Sequence, residues 1–87
     1  MNVIATLQCH DQPGIVHAMT SSILSASGNI IENQQFTDPV TSTFVMRTRF
    51  ETNSSLEHAR AELQNGLSKF APKLELRDYS QPKRALI

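Results

Sequence analysis

Asp11, Pro13 and Gly14 stand together in a stretch of chain that has no positive side chain, and this restricts the chemistry they can perform. Met1 to Met46 contains no Lys or Arg against Asp11, Glu32 and Asp38, whereas Arg47 to Ile87 holds eight basic and five acidic residues. An anion held by the first half must therefore be held by backbone amides, a helix N-terminus, a histidine or a neighbouring chain. The amides of Gly14, Ile15 and Val16, at the start of a helix, attract a carboxylate with a dipole contribution of about 0.3–1 kcal/mol. Gly14 lets a ligand approach the backbone, and Asp11 offers a partner for an ammonium group. A zwitterionic amino acid needs both features and no cationic side chain. The plain alternative is that Asp11 caps the helix, for about 1 kcal/mol, and Gly14 eases a tight turn. Spacing alone leaves both open. Asn29 follows the same helix and so stands at its far end, out of reach of Asp11 in one subunit. Two copies packed antiparallel bring the loop of one near Asn29 of the other.

The remaining reactive residues do not converge. His10 and His17 flank the first turn and His58 lies on a later helix. Without a cysteine pair or an H-x-x-x-H spacing, no metal site is expected. The carboxylates are scattered, and no serine sits in a nucleophile motif such as G-x-S-x-G. Lacking a nucleophile–base–stabiliser set, the chain reads as non-catalytic by itself. Cys9, the single cysteine, reads as a small buried apolar group in a reducing compartment.

These residues need elements to position them. Val3, Ala5, Leu7 and Cys9 alternate with polar neighbours over Asn2 to His10, the period of a half-buried strand. Asp11-Gln12-Pro13-Gly14 is a turn cluster. Ile15, Met19 and Ile23 recur every four residues in a helix over Ile15 to Ala26, with Pro13 suited to the first helical position and Gly28 to a left-handed C-cap. Asn29 to Thr37 reads as a second strand whose polar middle, Glu32 to Gln35, favours a sheet edge. Asp38 to Ser42 forms a five-residue turn into a third strand, Thr43 to Phe50. Ser54 and Glu57 match a capping box ahead of a helix carrying Leu56, Ala59, Leu63, Leu67 and Phe70, which Pro72 stops. Leu74 to Tyr79 gives a short fourth strand. The order βαββαβ predicts an α+β ferredoxin-like sandwich: a four-stranded antiparallel sheet with two helices on one face. The other face shows Gln8, Arg47, Arg49 and Arg77 to solvent or a partner.

Eighty-seven residues, 39% hydrophobic, suffice for one such domain and leave no room for a separate catalytic lobe. Zero net charge argues against a nucleic-acid binder or a polybasic membrane anchor. No apolar run approaches the ~20 residues needed to cross a bilayer, and the start lacks the pattern of a signal peptide. The expected setting is cytoplasmic. Residues 80–84 read as a linker and Ala85-Leu86-Ile87 as the start of a buried strand, as in a piece of a longer protein.

Asp11-x-Pro13-Gly14-Ile15-Val16 followed by Gly28-Asn29-Ile30 resembles the signature of ACT domains, small amino-acid-sensing modules. Residues 29–36 with Asp38, then Phe44-Val45-Met46-Arg47 and Phe50-Glu51, are similar to the N-terminal ACT domain of the formyltetrahydrofolate deformylase family. The resemblance covers residues 3 to about 79. Gln12 stands where that family commonly has Arg, and His10 where it has Pro. The resemblance implies an ACT domain over 1–79 and, in 80–87, a linker into a formyl-hydrolase domain. It implies that the full enzyme hydrolyses 10-formyltetrahydrofolate to tetrahydrofolate and formate for purine synthesis, with its Asn, His and Asp catalytic residues and its folate site in the C-terminal domain. No cofactor is then expected in this chain. The ACT part is expected to bind a small amino acid, glycine and methionine being candidates, through Asp11, Gln12, Pro13, Gly14, Ile15, Val16, Asn29 and Ile30, and to build homo-oligomers.

Other readings share the topology. A free-standing ACT regulator usually carries two units. An RNA-recognition motif needs stacking aromatics on its first strand. A heavy-metal module of this fold needs two cysteines, and an acylphosphatase-like enzyme needs an arginine in the first loop. Pure assembly through the sheet edges is the strongest rival.

Overall fold

The computed structural model describes residues 1–78. The expected end of the last strand at Tyr79, the 80–84 linker and the 85–87 apolar run lie outside the described residues. The elements are β1 (Asn2–His10), α1 (Ile15–Ser25), β2 (Gly28–Asp38), β3 (Thr43–Thr52), α2 (Leu56–Leu67) and β4 (Lys73–Asp78), with a 3-10 turn over Ser68–Phe70 between α2 and β4. The strands form one sheet in the order β2-β3-β1-β4, and each neighbouring pair is antiparallel. The fold is the expected βαββαβ ferredoxin-like sandwich.

Alternation sets the two faces. Val3, Ala5 and Leu7 of β1 meet Phe44, Met46 and Phe50 of β3 under Met19 and Ile23 of α1 and Leu63 and Leu67 of α2. Burying such a side chain stabilises by about 1.5–3 kcal/mol, so the register of β1 on β3 follows from this one apolar face. β2 is an edge strand, as its polar middle requires. Ile31 sits in a bulge between Ile30, which pairs with Phe50, and Glu32, which pairs with Arg49.

Several local expectations are corrected. Gly28 does not cap α1. The left-handed residue there is Ser27, φ 58°, and Gly28 opens β2. What Gly28 supplies is room: a Cβ would lie 2.6 Å from Cγ2 of Ile23 and 2.8 Å from Cδ2 of Phe50. Pro13 is not the first helical residue, because Gly14 caps α1 with φ 92° and helical geometry begins at Ile15. Ser54 does not cap α2. Ser55 does, accepting a hydrogen bond from the His58 amide at 3.1 Å; the Ser54 amide is already held by the Thr52 hydroxyl at 3.0 Å. Glu57 thus sits in the first turn without the reciprocal capping position. α2 ends at Leu67, and Phe70 reaches the core from the 3-10 turn. The β2–β3 turn is one residue shorter than expected, since Asp38 still pairs with Thr43.

Candidate functional site

The β1–α1 loop is built by three backbone constraints. The Asp11 amide donates to the Ser42 carbonyl at 2.8 Å, tying the loop to the hairpin turn. Gln12 folds back, its Nε2 donating to the His10 carbonyl at 3.0 Å. Gly14 then takes the left-handed conformation, disfavoured for other residues by about 1–2 kcal/mol, and its carbonyl accepts from the Ala18 amide at 3.0 Å. Among the described residues no side chain caps α1, and its first turn has no acidic residue. The alternative reading of Asp11 as the helix cap is therefore overturned: Asp11 is three residues short of the cap position, where the chain reverses at Gly14. The Asp11 side chain is exposed. The amides at the start of α1 are left to solvent or to a ligand.

Of the loop residues, Asp11, Pro13, Gly14 and Val16 are exposed, Gln12 is half-buried, and Ile15 is a core residue. Ile15 can offer its main chain but not its side chain. Cys9, near the end of β1, is buried in the core. Burial, and then the nearby Asp11 carboxylate, pushes its thiol pKa up, keeping it neutral as the apolar group the sequence suggests.

Asn29 and Ile30 lie elsewhere. Asn29 pairs with Glu51, and Glu51 with Asn2. Asp11 follows His10 at the other end of β1. Eight residue-to-residue steps along β1 separate the two ends, roughly 27 Å. One chain therefore does not bring Asp11 to Asn29. Around Asn29 and Ile30 the surface opens into a cleft of about 370 Å³ between α1 and β2, lined also by His17, Thr20 and Leu24. Thr20 and Leu24 were absent from the residues singled out by sequence, and His17 was weighed there only as a metal ligand. Their signal was present in the 3–4 spacing of an exposed helix stripe, but such a stripe normally marks only a solvated face.

No family model matches the sequence. A solved ACT domain protein from Streptococcus pneumoniae superposes with a TM-score of 0.75 at 20% identity, over 88% of each chain. The chain has the ACT-domain fold. The sequence of this chain is 31% identical to a formyltetrahydrofolate deformylase from a Corynebacterium strain, over 97% of this chain and 30% of that protein. A solved formyltetrahydrofolate deformylase from Pseudomonas syringae shares the fold at a TM-score of 0.83 and 22% identity, over 94% of this chain and 28% of that one. The chain thus spans under a third of the length of these two deformylases. Among the described residues no helix is long and apolar enough to cross a membrane.

Proposed function

We propose that this chain is the amino-acid-binding regulatory domain of a cytoplasmic formyltetrahydrofolate deformylase, and that it works as a homodimer. In this reading residues 1–79 form the N-terminal domain and 80–87 lead to the hydrolase domain. The whole protein converts 10-formyltetrahydrofolate and water to tetrahydrofolate and formate, serving purine and one-carbon metabolism.

The observation that carries the reading is the division of the candidate residues between opposite ends of the sheet, joined by an uncovered edge. β2 is exposed along nearly its whole length. Pairing it antiparallel with a second β2, centred on Asn33, sets Asn29 of one protomer opposite Thr37 of its partner. That is the end at which Asp38 pairs with Thr43, Thr43 with His10, and the β1–α1 loop begins. The ligand carboxylate then lies on the amides of Gly14, Ile15 and Val16, its ammonium on Asp11, with Gln12 and Pro13 shaping the loop. Asn29 and Ile30 of the other protomer close the site. Glycine and methionine are the candidate ligands.

Isothermal titration of both amino acids into the chain, and into the longer protein, tests this. Heat is expected and is lost in Asp11→Ala and in Asn29→Ala, while thermal stability holds in both. An absence of heat in both forms, with a dimer that survives either substitution, leaves only an assembly role. The long uncovered β2 edge is what favours that second reading.

A further inference from the structure

Among the described residues, one cation on the open face of the sheet has no acid directly opposite it, and the acid diagonal to it, Glu32, is taken by Arg49. β3 alternates, so Val45, Arg47 and Arg49 face away from the helices. Arg49 has an acid opposite it and pairs with Glu32 at 3.3 Å. Arg47 does not: its cross-strand neighbours are Gln34 on β2 and Thr6 on β1. The next acid in that row, Glu75, pairs with Thr6, two strand spacings or roughly 10 Å from Arg47, beyond ion-pair reach. One row along β2, Phe36 sits opposite Val45 on the same face and is 63% exposed. Diagonal cross-strand neighbours such as Arg47 and Phe36 stand about 7–8 Å apart, within reach of one ligand. Gln34, Phe36, Val45 and Arg47 line a shallow cleft of about 290 Å³.

We propose that this cleft binds an aryl carboxylate, its ring against Phe36 and Val45 and its carboxylate on the Arg47 guanidinium. Arg presents a planar fork matched to a carboxylate, and an exposed ring is covered best by another flat ring. Gln34 supplies a neutral hydrogen-bonding rim. An exposed Arg–carboxylate pair alone contributes no more than about fivefold in affinity, so the ring contact is essential to affinity. The site lies on the sheet face away from α1, and pairing through the β2 edge leaves it uncovered, so it stands independently of the amino-acid reading.

The test is a titration of the ¹⁵N-labelled 87-residue chain with benzoate, acetate, cyclohexanecarboxylate and 4-aminobenzoyl-L-glutamate, followed by NMR. Benzoate should shift the amides of residues 34–36 and 45–47 saturably, on the order of millimolar. Acetate and cyclohexanecarboxylate should bind several-fold more weakly, and Arg47→Gln should weaken benzoate by about threefold to fivefold. Tighter binding of 4-aminobenzoyl-L-glutamate assigns the site to a folate-type tail; equal binding assigns it to a free aromatic acid. Shifts elsewhere, equal binding of cyclohexanecarboxylate, or an Arg47→Gln chain with unchanged affinity overturns the proposal. A glycine titration of the same sample reports on Gly14 to Val16 and separates this outcome from that of the amino-acid site.

Discussion

The Thr52 hydroxyl holds three segments together. It donates to the Ala26 carbonyl at 2.6 Å, just past α1, and accepts from the Ser54 amide at 3.0 Å, just before α2. The Thr52 amide also donates to the Met1 carbonyl at 3.0 Å. At 4% exposure, water cannot replace the hydroxyl. Thr52→Val keeps the shape but leaves a carbonyl and an amide unpaired, at a cost of about 2–3 kcal/mol. A fall of about 10 °C or more in Tm is expected for a chain of this size, with Thr52→Ser restoring most of it. A valine variant that melts with the wild type would show that the hydroxyl contributes little. No feature of the sequence separates this threonine from Thr41 or Thr48, because the carbonyl it donates to, that of Ala26, lies 26 residues away along the chain.

At the scale of elements, the instructive case is the start of α2. Two serines stand side by side, and local pattern favours Ser54 because Glu57 completes a capping box with it. The helix begins one residue later because the Ser54 amide is drawn to Thr52, leaving Ser55 to cap. Ser55→Ala should therefore cost about 1 kcal/mol, and Ser54→Ala no more than about 0.5 kcal/mol, both read from denaturant midpoints. The reverse ranking would restore the capping box. α1 and α2 meet where Gly66 lies against Ser22, and a Cβ on Gly66 would overlap the Ser22 Oγ. Ser22 is spared as a buried polar residue because its Oγ donates to the Ala18 carbonyl at 2.7 Å.

At the scale of the whole molecule, one flank is left uncovered among the described residues. Leu24 is 74% exposed on α1 and Ile31 45% exposed on β2, beside an edge of eleven residues with no lysine or proline to block pairing. If two copies join there, Leu24→Asp and Ile31→Lys each convert a dimer to a monomer in sedimentation velocity. The melting of the monomer itself should hardly change, since neither side chain belongs to the core. A monomeric wild-type chain, or variants that stay dimeric, would place any assembly elsewhere.

The sequence by itself determined the strand and helix order, the buried face of each element and the edge position of β2. Alternation in Val3, Ala5, Leu7 and Cys9, four-residue spacing in Ile15, Met19 and Ile23, and the polar run Glu32 to Gln35 are local patterns, and hydrophobic burial acts on them directly. It also brought out the Asp11–Gly14 loop and Asn29 as the residues to watch. That Asp11 and Asn29 stand apart followed already from their places at the two ends of α1. Only the tertiary structure decided that Gly28 serves close packing against Ile23 and Phe50 and that Gly14 rather than Asp11 caps α1. Each of these depends on a contact, or a distance, between segments far apart in the chain, and neither spacing nor propensity along the sequence encodes which distant atom arrives.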